Sequence, residues 1–171
     1  MKKVIVIGCP GAGKSTLARQ LSLRLDLPVH HLDALFWKPG WVGVPKEEQR
    51  QVQKQLVQEP EWIIDGNYGG TMEIRLQAAD AVIFLDMSRL RCMYQAAKRT
   101  IQYRRKKRPD MAEGCPERFD PAFFRWIWQF QKNKRPAIIE ALAKLQDEKE
   151  VVVLRTPREA SGFLEKIGAS H

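Results

Sequence analysis

The sequence contains few cysteines and no long hydrophobic run. Cys9, Cys92 and Cys115 are the three cysteines of the 171-residue chain, and none of them belongs to a C-x-x-C pair. An odd number of cysteines without that spacing argues against a disulfide framework and against a zinc site. No apolar run approaches the roughly 18 residues of a membrane-spanning helix, and the apolar run at residues 4–7 is too short for a signal peptide. We therefore expect a cytoplasmic protein with no membrane partner.

Acidic residues are absent from residues 89–108, which carry nine basic side chains. The net charge of the whole chain is +9, so the remaining residues are formally neutral. The excess positive charge therefore lies in one basic segment of an otherwise balanced domain. The function of that segment depends on which groups surround it. The basic segment consists of Arg89, Arg91, Lys98, Arg99, Arg104, Arg105, Lys106, Lys107 and Arg108.

Glycine is concentrated where a predicted strand meets a predicted helix. Residues 8–15 fit G-x-x-x-x-G-K-[ST], the phosphate loop. The β-branched run before them predicts a buried strand, and residues 17–25 have helical apolar spacing. Glycines let backbone N–H groups turn towards an anion, and the helix adds the positive end of its dipole. The residues expected to bind a nucleotide are Pro10, Gly11, Ala12, Gly13, Lys14, Ser15 and Thr16.

Two side chains of this loop have specific expected roles. The Lys14 ammonium can reach the β- and γ-phosphates, and the Ser15 hydroxyl can bind Mg²⁺. We therefore expect a nucleoside triphosphate as partner, with ATP and Mg²⁺ as cofactors. The alternative is a glycine-rich turn that matches the motif by chance, which the flanking strand and helix argue against.

Short apolar runs alternate with helical patterns along the chain. This alternation predicts an α/β fold of three layers, with a five-stranded parallel sheet between helices on both faces. We expect a single domain over residues 1–171. The expected strands lie at residues 4–7, 29–33, 61–65, 81–86 and 151–154.

Start and stop signals predict the helices and loops between these strands. Thr71 is expected to cap a helix at residues 71–78, and Ser88 to cap a basic helix at residues 89–105. Residues 34–41 are expected to form an aromatic loop, because Pro39-Gly40 interrupts any regular element there.

Ligands of parallel α/β sheets gather at the carboxyl ends of the strands. Asp33 ends the predicted second strand, where it would hold Mg²⁺ through water or orient an acceptor hydroxyl, or serve only as a cap or surface carboxylate. Asp65 and Asp86 both follow apolar strands as a metal-binding acid would, and we favour Asp65 because its strand is expected beside the first. His30 and His31 are expected to pack within their strand, since neighbouring strand residues face opposite ways.

Two further segments could contact a phosphoryl acceptor. Gly66 allows close backbone approach after the third strand, with Asn67 beside it, or the glycines serve only to reverse the chain. Trp37 and Trp41 either stack on an acceptor ring or fold over the core.

The basic segment continues into residues 106–120, a long loop punctuated by Pro109, Gly114 and Pro116. As a lid at about residues 99–120, its arginines would close over the phosphates and neutralise the charge of a transferred phosphoryl group. As a nucleic-acid surface, the same charges would grip a phosphate backbone without sequence preference. A solvated surface is the third alternative.

These residues resemble the P-loop small-molecule kinases of the adenylate, shikimate and gluconate kinase kind. The general resemblance rests on residues 8–15 and the strand pattern. Residues 31–41, 64–68 and 108–120 are similar, more closely, to the bacterial topology modulation (FlaR-like) proteins. The resemblance implies the strand order 2-3-1-4-5 and a mobile lid.

The resemblance to shikimate kinases also implies roles for individual residues. An acid at the end of the second strand touches acceptor and metal in those enzymes, as Asp33 would here. Gly66 and Asn67 match their acceptor-binding turn loosely. Arg108 matches the arginine of their lid Arg-Pro pair, and Arg99 is the candidate for packing on adenine.

Together these inferences predict an ATP- and Mg²⁺-dependent phosphotransferase for an unidentified nucleoside, nucleotide or hydroxy compound. The alternative is a nucleic-acid-associated ATPase or regulator that affects DNA topology. The predicted site residues are catalytic Lys14, Asp33 and Arg108; nucleotide-binding Arg99 and Arg155 with residues 10–16; metal-binding Ser15, Asp65 and Asp33; and acceptor-binding Asp33, Trp37, Gly66 and Asn67.

Overall fold

A parallel sheet of five strands lies at the centre of the computed structural model, which describes residues 1–104 and 106–169. The strands along the chain are β1 (Lys3–Gly8), β2 (Val29–His31), β3 (Trp37–Lys38), β4 (Val42–Gly43), β5 (Trp62–Asp65), β6 (Ala81–Leu85) and β7 (Glu150–Leu154). The central sheet has the order β2-β5-β1-β6-β7, and β3 pairs with β4 in a separate antiparallel hairpin. Counting only the central strands, this order is 2-3-1-4-5, which confirms the predicted fold.

Helices cover both faces of this sheet. They are α1 (Lys14–Leu25), α2 (Leu32–Phe36), α3 (Lys46–Leu56), α4 (Met72–Ala78), α5 (Arg89–Gln102), α6 (Pro121–Asn133), α7 (Arg135–Ala143) and α8 (Pro157–Ala169). Within β1, Val4 and Val6 pack into one apolar cluster with α1, α5, α6 and α8, whereas Ile5 and Ile7 pack into another with α2 and α7. All residues of β6 are buried, as expected for a strand covered on both faces.

The second strand is shorter than predicted. It ends at His31, and α2 begins at Leu32, so Asp33 lies in the first turn of a helix. The reason is tertiary packing: Leu32 and Phe36, four residues apart, are both buried on one face of this short helix. The expected aromatic loop is therefore part of α2 followed by the β3–β4 hairpin.

The two predicted caps have different outcomes. Ser88 does cap α5, because its hydroxyl accepts a hydrogen bond from the Arg91 amide. Thr71 precedes α4, but its hydroxyl donates to the Tyr68 carbonyl and accepts from Gln53, so it does not cap the helix. The basic helix α5 ends at Gln102, earlier than predicted, and Arg105 lies outside the described residues.

Residues 103–120 connect α5 to α6 and correspond to the predicted lid. Their described part contains no helix or strand. None of the helices in the described ranges combines the length and hydropathy needed to cross a membrane.

Phe84 is the largest side chain of β6 and is fully buried against the face that carries α2 and α7. We expect Phe84→Ala to lower the free energy of unfolding by about 3–5 kcal/mol, because it leaves a cavity in a close-packed core. Urea denaturation measures this change. Ile101→Ala is the control, since Ile101 is 78% exposed and its truncation should change stability by no more than about 0.5 kcal/mol. Equal effects of the two substitutions would contradict this account of the core.

Candidate active site

The predicted phosphate loop lies between β1 and α1. Gly11 has φ +82°, and a Cβ at this position would lie 2.3 Å from the Cys92 carbonyl oxygen. Gly13 also has positive φ and precedes α1 with no side-chain cap, so the first N–H groups of this helix stay open to an anion. Lys14 begins the helix, and its ammonium donates to the Cys9 carbonyl at 3.3 Å. The loop therefore has the backbone geometry that an anion site requires.

Asn67 holds the first residue of this loop. Its side-chain oxygen accepts from the Gly8 amide at 3.0 Å, and its side-chain nitrogen donates to the Gly8 carbonyl at 2.8 Å. Both polar atoms of the Asn67 side chain are thus engaged with the loop backbone. Its predicted contact with an acceptor stays a prediction, while a positioning role for the phosphate loop follows directly from these bonds.

A buried arginine that sequence reasoning missed supports the same turn. Arg75 in α4 is fully buried and donates to the carbonyls of Gly66 at 2.7 Å and Asn67 at 2.5 Å. Burial lowers the pKa of Arg75 to about 10, although the nearby Asp65 carboxylate opposes this shift. The weak sequence signal for Arg75 is its place between Ile74 and Leu76, one short helix after the glycine turn.

Asp65 ends β5, directly beside β1, as predicted. Its Oδ2 accepts a hydrogen bond from His31 Nδ1 at 2.8 Å. Its Oδ1 is buried and has no hydrogen-bond partner among the described residues. His30 faces the other way, towards Glu59 at 3.0 Å. The two histidines therefore contact different carboxylates, and one oxygen of Asp65 remains for a further ligand.

The other two predicted carboxylates have different partners. Asp33 accepts from the Tyr68 hydroxyl at 2.7 Å, and burial followed by the Asp33 charge raises the pKa of Tyr68. Asp86 follows β6 and accepts two hydrogen bonds from Arg135, both at 2.7 Å. Arg155, predicted to bind nucleotide, is mostly exposed and lies 3.9 Å from Asp86. Both carboxylate oxygens of Asp86, the less favoured metal candidate, are thus paired with Arg135 of α7.

Four charged side chains, Arg99 at the end of α5 and Arg108, Asp110 and Glu117 in the segment after it, form a group that is called here the lid charge cluster. Arg108 is buried and donates to Asp110 at 2.7 Å and to Glu117. Arg99 Nε lies 3.2 Å from Glu117. Burial and the charge of Arg108 lower the pKa of Arg99. The cluster contains two positive and two negative charges, so it is formally neutral.

Charged neighbours lower the pKa of Asp110 in the lid charge cluster. Burial by itself would raise the pKa of Asp110, but the hydrogen bonds and charge of Arg108, with a smaller effect of Ser15, lower it to about 2. The Asp110 carboxylate is therefore ionised at neutral pH.

The lid packs on the β3–β4 hairpin. The Gly40 amide donates to the Gly114 carbonyl at 2.8 Å, and the Trp41 indole donates to the Pro116 carbonyl at 3.1 Å. Trp41 also packs edge-to-face on Trp37, with ring centroids 5.6 Å apart. The predicted contact of Trp37 with an acceptor stays untested. The hairpin and the connecting segment are therefore tied together by these two hydrogen bonds.

The basic segment does not present all its charges to solvent. Arg99 and Arg108 turn into the lid charge cluster, and the Arg89 guanidinium lies over the Trp128 ring at 4.7 Å. Lys107 pairs with Glu113. The lid interpretation and the nucleic-acid alternative both stay predictions.

Comparison with known proteins shows similarity to kinases, although no family model matches the chain. A stretch of 59 residues is 41% identical to a shikimate kinase of Rhodococcus jostii (strain RHA1). This stretch covers 34% of the present chain and 30% of the shikimate kinase. The matched part is thus about a third of either protein.

Similarity to solved structures extends over almost the whole chain. A shikimate kinase from Acinetobacter baumannii, solved with shikimate, superposes with a TM-score of 0.60 at 14% identity, over 98% of this chain and 90% of that one. A gluconokinase from Sinorhizobium meliloti 1021 gives 0.56 at 14% identity, over 99% and 94%. A deoxyadenosine kinase from M. mycoides gives 0.52 at 14% identity, over 98% and 99%. The chain has the fold of the P-loop kinases.

The two hydrogen bonds by which Asn67 holds Gly8, called here the Asn67 clamp, can be tested by mutation. We expect Asn67→Ala to destabilise the protein by about 1–3 kcal/mol, because the Gly8 amide and carbonyl lose their partners. Amide hydrogen exchange should become faster at Gly8, and urea denaturation measures the stability. Asn133→Ala, at an exposed position, should change neither quantity. Unchanged exchange at Gly8 in Asn67→Ala would show that the clamp does not hold the loop.

The contact between lid and hairpin is testable at Gly114. This residue has φ +73°, and a Cβ there would lie 2.7 Å from the Pro39 Cβ. We expect Gly114→Ala to loosen the lid and to speed tryptic cleavage at its lysines several-fold, since cleavage follows local opening. Gly162→Ala is the matched control, because a Cβ at Gly162 meets no atom within 4 Å. Equal cleavage rates for the two variants would refute the docked lid.

Proposed function

We propose that this chain is an ATP- and Mg²⁺-dependent phosphotransferase that acts on a small molecule. The observation that supports the proposal is the phosphate loop with Lys14 and Ser15, together with a basic segment that holds the buried Arg108 and the half-buried Arg99. Phosphoryl transfer depends mainly on positioning and on charge stabilisation. A phosphate loop that a lid with arginines closes over would supply both.

The donor nucleotide would bind at the phosphate loop. Lys14 and the open amides of residues 10–16 would hold the β- and γ-phosphates, and Arg155 would lie beside the nucleotide at the end of β7. Ser15 would bind Mg²⁺ together with Asp65 or Asp33, and the unpartnered Oδ1 of Asp65 suits this role. When bound, Mg²⁺ would neutralise charge on the phosphates. The described residues contain no group of three or more ligating acids, histidines or cysteines, which fits a metal held largely by phosphates and water.

The acceptor would bind beside Asp33. The hydrogen bond from Tyr68 engages Oδ1 of Asp33 and leaves Oδ2 to accept the proton of an acceptor hydroxyl. The deprotonated oxygen would then attack the γ-phosphorus as the bond to ADP breaks. Trp37 and the Gly66 backbone would border this acceptor.

The lid arginines would act on the transferred phosphoryl group. Arg108 now pairs with carboxylates of its own segment, so bound phosphates would take over part of its hydrogen bonding. Its guanidinium would neutralise charge in the transition state. Arg99 would pack on the adenine ring, in the role that the resemblance to shikimate kinases implies.

The similar proteins support the reaction class but not one acceptor. They are named as kinases of shikimate, gluconate and deoxyadenosine, three chemically different small molecules. The acceptor of the present chain is therefore a matter for experiment. The free cysteines among the described residues are buried, which fits a cytoplasmic site of action. The resemblance to topology modulation proteins concerns a cellular effect and names no reaction.

A screen of ATP consumption tests the proposed function. Nucleosides, nucleotides, sugars and hydroxy acids are offered as acceptors, and we expect at least one to stimulate ATP consumption. Lys14→Ala should lower that rate by about 100-fold or more, because it removes a charge that stabilises the transferred phosphate. Lys54→Ala, at an exposed position in α3, should behave like the wild type. ATP consumption that survives in Lys14→Ala, or that depends on added DNA instead of a small molecule, would contradict the proposal.

A further inference from the structure

A cavity of about 590 Å³ lies at the β6–β7 side of the sheet. It is bounded by the end of β6, the start of α5, the last turns of α6, the start of α7 and the residue after β7. The strands that lead to Asp33 and Asp65 lie on the other side of β1. The cavity is therefore separate from the proposed acceptor side. Its charged and aromatic lining residues are Asp86, Arg89, Trp128, Arg135 and Arg155.

Three guanidinium groups line this cavity together with one carboxylate. Arg135 donates two hydrogen bonds to Asp86, both at 2.7 Å, and these two charges neutralise each other. Arg155 Nε lies 3.9 Å from the same carboxylate, and its side chain is 66% exposed. Arg89 makes no ion pair with an acid among the described residues. Glu159 accepts from the Arg155 backbone amide but does not line the cavity. The lining thus has two positive charges in excess.

Arg89 stands where its own helix disfavours a positive charge. It is the first residue of α5, whose first turn contains no acid, and the helix dipole opposes a cation there. Its contact among the described residues is with the face of Trp128, 4.7 Å from the ring centroid. Trp128 is itself 45% exposed, so the pair is not held by burial in the core. Conflicts of this kind between a residue and its local structure are expected at binding sites.

We propose that this cavity is a second anion-binding site, which takes the phosphate group of a small organic ester separately from the phosphate loop. Arg89 and Arg155 would bind the phosphate oxygens, because a guanidinium matches them with two parallel N–H groups. Arg135 keeps the Asp86 charge neutralised, so that the carboxylate does not repel the anion. The exposed face of Trp128 would pack on the rest of the ester. A cavity of this volume is within the usual range for small-molecule sites.

This inference goes beyond the proposed function, since it requires neither ATP nor phosphoryl transfer. The alternative is a solvated basic surface that attracts anions through net charge alone. Loss of any nearby positive charge would then have the same effect. A built site behaves differently: Arg89 lines the cavity, whereas Arg158, which is exposed on α8, does not.

Isothermal titration of phenyl phosphate into Lys14→Ala measures this site with the phosphate loop weakened. We expect one molecule to bind, and the further substitution Arg89→Gln to lower the affinity about tenfold, because a hydrogen bond to a charged group is lost. Arg158→Gln in the same background is the matched control: it removes the same charge outside the cavity and should leave the affinity unchanged. Thermal unfolding checks that these variants fold alike.

Inorganic phosphate in place of phenyl phosphate separates the charge from the ring. Phenyl phosphate should bind several-fold more tightly than inorganic phosphate, because its ring packs on Trp128. This difference should disappear in Trp128→Leu. Equal affinities for the two probes in the Lys14→Ala parent would overturn the organic ester as the ligand.

Three results would overturn the site itself. They are no phenyl phosphate binding to Lys14→Ala, equal losses of affinity in Arg89→Gln and Arg158→Gln, and complete displacement of phenyl phosphate from the wild type by saturating ATP. The last result would make the cavity a part of the ATP site. A wild-type protein that binds no ATP, while Lys14→Ala binds phenyl phosphate, would contradict the proposed function and support this inference.

Discussion

The buried guanidinium of Arg75 is the constraint on which the site depends. A charged group without water is costly unless its hydrogen bonds are satisfied, and Arg75 satisfies two of them with the carbonyls of Gly66 and Asn67. The turn after β5 is therefore held in one conformation. In that conformation the Asn67 side chain hydrogen-bonds both the amide and the carbonyl of Gly8. The buried guanidinium of Arg75 therefore positions the phosphate loop indirectly.

The lid is organised by a second set of charges. Two arginines and two carboxylates neutralise one another under a surface that excludes most solvent. Such a cluster is stable only while all members stay together, because each one left alone would be buried without a partner. The lid thus holds one compact arrangement of these four side chains.

The hairpin ties the lid to the side of the site where an acceptor would bind. Gly40 and Trp41 donate hydrogen bonds to the lid backbone, and α2, which carries Asp33, leads directly into this hairpin. The similar kinases differ in the small molecules they are named for.

The phosphate loop and the strands could be predicted from the sequence, because those signals lie in contiguous residues: the glycine spacing and apolar runs between helical patterns. The order of the strands was implied by the resemblance to P-loop kinases. The end of β2 could not be predicted, since Leu32 and Phe36 form a helix by packing on a distant part of the core. The same holds for the site. The sequence by itself determined the loop at residues 8–15 and a set of candidate carboxylates. Only the tertiary structure decided that Asn67 holds Gly8 and that Arg135 pairs with Asp86, because each contact joins residues that no local pattern relates.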